Sequence, residues 1–193
     1  MQGHGAGEIN EPMTSAVDMS GPIFYCERWN NKKSAPIGPL TPAQAQRRDV
    51  AKQWYTVVLG DLAAPRCFVE VAWENDHVGV WFLDDELRRY VHYSFTRIDD
   101  QLMFMDAVVL WYYPDGAGRR FEDAESIEDV EYTREGTVTR ECTDVRTREV
   151  TTEHWSDVPL DINWERVPEF GDYRSLTRLD REPTDPGPLK MVP

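Results

Sequence analysis

The sequence predicts a mainly β, α+β protein: an antiparallel meander of about seven or eight strands with one amphipathic helix packed on it. Three observations carry that expectation. From Pro65 onward, short apolar runs alternate with acidic or Gly/Pro clusters. A single earlier segment, opened by Thr41-Pro42, carries helix-start signals. The links between the apolar runs are short, so consecutive strands are expected to pair as neighbours.

Along the chain, residues 1–21 are rich in small and polar types and read as a flexible extension. Residues 22–29 (PIFYCERW) read as an extended segment, followed by a loop containing Pro36, Gly38 and Pro39. In the helix, Thr41 is a natural N-cap, Pro42 suits the first turn and Gln44 completes a capping box. Val50, Trp54, Val57 and Val58 then form an apolar stripe that extends the expected helix over about 41–60, ending at Gly60. Arg47, Arg48 and Lys52 lie on its opposite, solvated face.

Strands are expected over about 66–178. The runs RCFVEVAW, HVGVWFL, RRYVHYSFTRI and LMFMDAVVLWYY are divided at Glu74–Asp76, Asp84–Glu86 and Asp99–Asp100, and Pro114-Asp115-Gly116 makes a strong turn. The next strands alternate Thr, Arg and Glu, which predicts a solvated face. Pro168 limits ladder bonding in the last segment. Residues 181–193 are proline-rich and read as a tail, leaving 22–180 as one domain. A meander of this length curls into a barrel or a strongly curved sheet, and its outline resembles a lipocalin-like (calycin-type) barrel by strand count. A cystatin-like sheet gripping a helix is the alternative. No family's sequence signature accompanies either outline.

The chain has 193 residues, with 21 Lys plus Arg against 35 Asp plus Glu, a net charge of −14. That balance argues against nucleic acid and anionic membrane as partners, because both reward positive charge. It keeps the chain soluble and suits a basic partner. Cys26, Cys67 and Cys142 are far apart, without zinc-type spacing, and no nucleotide or hydrolase motif occurs, so neither a metal nor a cofactor is expected. The absence of a signal peptide and of a long apolar span points to the cytoplasm.

The sharpest anomaly is charge inside apolar strands. Asp106 interrupts the otherwise apolar run 103–113, Glu70 lies in FVEVAW and His92 in RYVHYSF. Such groups must be paired, hydrogen-bonded or neutral, and groups held that way are common at functional sites. Side chains alternate faces, so register decides whether they meet. A turn at Asn75-Asp76 puts Glu70 opposite Trp81 and leaves Cys67, Val69, Val71 and Trp73 with Val78, Val80 and Phe82 as a core face. An even loop near Asp85-Glu86 puts Tyr90 opposite Trp81 and His92 opposite Gly79. A three-residue loop at Asp99–Gln101 puts Ser94 opposite Asp106. Other loop lengths send His92 or Asp106 to the other face.

With the favourable registers, Glu70, His92, Asp106 and Tyr90 are the candidate acid–base residues. Trp81, Ser94, Phe104 and Trp111 are candidate substrate contacts. The expected function is a small-molecule pocket protein that binds an apolar or aromatic compound inside the barrel, extending to a cofactor-independent isomerase, cyclase or lyase, with a homodimer compatible. The structural reading of the same residues is an ion pair between Glu70 or Asp106 and Arg88, Arg89 or Arg97. The alternative function is an acidic interaction module, an inhibitor or immunity-type protein, that binds a basic partner.

Overall fold

The computed structural model describes residues 21–179, 181 and 190–191. Most of both expected tails, residues 1–20, 182–189 and 192–193, therefore lies outside the described residues. The strands in chain order are β1 Ile23–Asn30, β2 Ala35–Leu40, β3 Tyr55–Asp61, β4 Ala64–Ala72, β5 His77–Leu83 and β6 Arg89–Arg97. They continue as β7 Leu102–Tyr112, β8 Ser126–Tyr132, β9 Val138–Asp144, β10 Val150–Ser156, β11 Trp164–Arg166 and β12 Lys190–Met191. The helix, α1, is Pro42–Val50. All pairings are antiparallel, in the order β12-β10-β9-β8-β7-β6-β5-β4-β3-β1-β2, with β11 beside β7.

The meander is thus present, but it does not close into a barrel: β2 and the β10–β12 side are free ends of the order. Nor does it begin at residue 66. The segment expected to lie on the domain is β1, and the proline-containing loop after it is β2, the outermost strand, where Pro36 and Pro39 remove no interior ladder bond.

The helix starts as its sequence dictates. Gln44 N donates to Thr41 Oγ1 at 3.3 Å, Thr41 N donates to Gln44 Oε1 at 2.8 Å, and Pro42 opens the first turn. It ends nine residues on, not at Gly60. Val50 is 80% exposed, and the supposed stripe at Val57 and Val58 belongs to β3. An aromatic and β-branched run, Tyr55-Thr56-Val57-Val58, favours extended backbone, and its spacing overlaps a helical stripe closely enough to read as either. In β3, Tyr55, Val57 and Leu59 all face the main core.

That core covers one face of the sheet. Tyr25, Val57, Val69, Val71, Val78, Val80, Phe82, Tyr93, Phe95 and Met105 pack beneath Ala45 of α1 and beneath Tyr173 and Leu176. Asp49 of α1 accepts from Tyr55 Oη (2.8 Å) and Trp73 Nε1 (2.6 Å), which ties the helix to the sheet. Arg181, expected at the start of a tail, is a buried part of this cover. It is 7% exposed, pairs with Glu165 at 2.9 Å and lies over the rings of Tyr93 and Phe95. Further on, Lys190–Met191 pair with β10. A smaller apolar cluster of Cys26, Trp29, Val58, Phe68 and Leu83 includes Val58 and Phe68, partners on the sheet's reverse face.

Candidate functional site

The reverse face of β4–β7 carries the ionisable residues singled out above. The hairpin between β4 and β5 closes through a turn of 3-10 helix at Trp73–Asn75, with Asp76 in the left-handed region. This register sets Glu70 opposite Gly79 and Phe68 opposite Trp81, two residues from the expected pairing. A shift of two preserves the face, so Glu70 and Trp81 still meet diagonally: Trp81 Nε1 donates to Glu70 Oε2 at 2.9 Å. His92 lies opposite Trp81, not Gly79, and their rings stack with centroids 3.9 Å apart and planes 19° from parallel.

Gly79 is the buried floor of this arrangement. A methyl group there would lie 3.1 Å from His92 Nε2, 3.5 Å from His77 Nε2 and 3.6 Å from Trp81 Nε1. Three ring nitrogens therefore converge above one glycine. Burial first, then the neighbouring His77 and Arg89, pushes the His92 imidazole down to about 4, so it is neutral at physiological pH. His77 opens β5 and belongs to this cluster.

Asp106 reaches the same face by an irregularity. Ser94 lies opposite Ala107, Phe95 opposite Met105, and the register shifts between them, so Asp106 is the extra residue of a bulge. Beyond β7 the sheet forks there, since Phe104 pairs with Trp164 of β11 and Ala107 with Glu131 of β8. The Thr96 hydroxyl donates to Asp106 Oδ2, whereas Oδ1 is sealed from solvent and has no hydrogen-bond partner among the described residues. Thr56 Oγ1, directly opposite Glu70 and fully buried, likewise has no partner among the described residues.

Two expected members are elsewhere. A second bulge, between Phe82 and Leu83, pairs Leu83 with Arg89 and turns Tyr90 toward the main core, against which it packs. Phe104 shares the site's face but is only 2% exposed and packs on Trp164 at 4.9 Å, so it is filler and not wall. Ser94 stays on the face beside Gly79. The ion-pair reading also fails. Arg88 binds Asp84 and Glu86, and Arg97 binds Asp100, while no arginine pairs with Glu70 or Asp106.

Arg89 replaces Tyr90 at the site. Its guanidinium carbon lies 4.5 Å from the Trp81 ring centroid and 4.0 Å from that of Phe121. Phe121 comes from the long β7–β8 connection, residues 113–125, and stacks on Trp111 at 4.6 Å. Trp111 in turn stacks on Trp81 at 5.8 Å, and Phe68 extends the row at 6.1 Å. The connection is anchored on the far side by Arg119 Nη1, which donates to Ser34 Oγ at 3.1 Å.

The result is an aromatic shelf bordered by polar groups, on the side of the sheet away from the main core. Two small hollows lie elsewhere. One of about 200 Å³ is lined by Phe24, Cys26, Leu40, Val58 and Leu62, and one of about 180 Å³ by Leu59, Asp172, Tyr173 and Arg174. Among the described residues no group of three or more His, Cys, Asp or Glu is placed to hold a metal ion. No described helix is long and apolar enough to cross a membrane. No family model, no curated protein and no solved structure matches the chain.

Proposed function

We propose that the protein binds a small, largely aromatic molecule on the Trp81–Trp111–Phe121 shelf, with Glu70, His92 and Asp106 as its polar border. The observation that carries this reading is the convergence of His92 Nε2, His77 Nε2 and Trp81 Nε1 over Gly79, on the face that also carries Asp106. Binding sites combine aromatic walls with a few convergent polar groups. The long connection that carries Phe121 supplies the cover, as loops of that length often do at sites.

Acid–base turnover as an isomerase, cyclase or lyase is the stronger form of the same proposal. A neutral His92 held near 4 favours recognition over proton transfer at neutral pH. Saturation-transfer NMR with small aromatic fragments tests the binding form. Fragments should give signals with the native protein and lose them with Trp111→Ala at unchanged fold. Equal signals from both proteins would remove the shelf as the site.

A second reading, the acidic interaction module, rests on the β8–β9 strip. Asp129, Glu131 and Glu141 share the same outward face, and among the described residues no arginine or lysine pairs with any of them. Burial first, then Glu131 and Glu141, holds the Asp129 carboxyl above its ordinary range. A basic partner should bind there in a salt-sensitive way, and Asp129→Asn with Glu131→Gln should abolish that binding.

A further inference from the structure

Arginine placement discriminates within the shelf. Arg48, Arg66, Arg88, Arg97, Arg120, Arg140, Arg174, Arg178 and Arg181 each pair with a carboxylate. Arg119 donates to Ser34, and Arg28, Arg47, Arg134, Arg146, Arg148 and Arg166 are exposed. Arg89 stands apart. Among the described residues it is the arginine that is withdrawn from full exposure and yet has no hydrogen-bond or ion-pair partner for its guanidinium.

In a chain with 35 acidic residues, that vacancy is specific. Glu70 lies near enough to be felt electrostatically, but it is engaged by the Trp81 indole N–H. Desolvation works against the charge of Arg89, and the faces of Trp81 and Phe121 offset part of that cost without using any of its N–H donors. A guanidinium presents five donors in a planar fork that matches a carboxylate two at a time. The neutral His92 beside it adds no competing positive charge.

We infer that the ligand of the shelf is an aromatic carboxylate, its acid group gripped by the Arg89 fork and its ring laid against Trp111 and Phe121. This rests on the binding reading above and adds the sign of the ligand's charge. A cationic ligand would have to displace Arg89 from the rings it already covers. A neutral one would leave the donors of Arg89 to water.

Three probes of the same shape separate the cases: naphthoate, naphthylmethanol and naphthylmethylammonium. Each is titrated into the full chain and followed by the tryptophan indole N–H resonances. Naphthoate should bind the native protein about tenfold or more tightly than the alcohol, with the ammonium weakest. Raising the salt concentration should erode the advantage of naphthoate and leave the alcohol unchanged.

Arg89→Gln should bring naphthoate down to the level of the alcohol. Arg89→Lys, which keeps the charge but loses the fork and the stacking, should fall between. The comparison within the native protein needs no variant, so a folding defect in either substitution leaves the test standing. If the ammonium binds as well as naphthoate, or if Arg89→Gln leaves naphthoate affinity intact in a folded protein, the inference is overturned and the shelf remains. If none of the three probes binds, the binding reading falls and the inference falls with it.

Discussion

The two faces of strands β4–β7 use the same alternation for opposite ends. On the core face Val69, Val71, Val78, Val80, Phe82, Tyr93, Phe95 and Met105 are closed off by α1 and the segment around Tyr173 and Leu176. On the reverse face the same strands present Glu70, Gly79, Trp81, His92, Ser94 and Thr96, all partly open except the glycine. Core side chains there pack mainly on apolar neighbours, with the buried Arg181 laid over the rings of Tyr93 and Phe95. Across the sheet, Glu70 is held by the Trp81 indole N–H, His92 by the Trp81 ring and Asp106 by the Thr96 hydroxyl. The packed core and the proposed recognition surface thus lie one sheet thickness apart, and substitutions on the two faces should fail differently.

Phe95→Ala tests the core face and should have the largest effect. It empties a fully buried aromatic site and should cost about 3–5 kcal/mol in denaturant unfolding, without a change specific to the shelf. On the other face, His92→Phe keeps a ring against Trp81 but removes the titration. The folded protein favours the neutral imidazole, whereas the unfolded chain takes up a proton near 6.5. The stability contributed by neutral His92 is therefore complete above about 6.5 and is lost as pH falls toward about 4. Over that window the native protein should lose roughly 3 kcal/mol relative to His92→Phe in matched unfolding titrations.

Gly79→Ala probes the floor and should cost roughly 1 kcal/mol, because the added methyl, 3.1 Å from His92 Nε2, forces that ring to move. The shifted stack should appear as a changed Trp81 indole resonance. The smallest effect is expected beyond the core-backed region. There Arg140 bridges Glu128 (2.7 Å) and Glu153 (3.1 Å) across three strands. Arg140→Leu should lower stability by about 0.5 kcal/mol at low salt and by less at high salt, as partly exposed pairs do.

Local chemistry was legible in the sequence, and geometry set by distant residues was not. Thr41, Pro42 and Gln44 specify a helix start with contacts inside four residues, and that start is present. The alternation of Cys67, Val69 and Val71 with Val78, Val80 and Phe82 identified a core face correctly. The helix end was hidden because Val57 and Val58 satisfy either period. Bulges were hidden too. A single extra residue, Tyr90 itself opposite Phe82 and Leu83, exchanged Tyr90 for Arg89 at the site, and another at Asp106 kept that carboxylate on the shared face at a fork no short motif announces. Phe121 joins the shelf from a loop, through packing with residues far away in sequence. His77 carried a weak signal: directly after a turn and two residues before Gly79, it belongs to the same face as that glycine.

The central claim is that recognition occurs on the sheet's reverse face and not within its core. Isotope-labelled protein titrated with aromatic fragments reports this residue by residue. The largest shifts are predicted at the Trp81 and Trp111 indoles, the His92 ring and the backbone of Phe121. Shifts confined to the hollow beside Phe24 and Leu62, or to Tyr173 and Arg174, would contradict it.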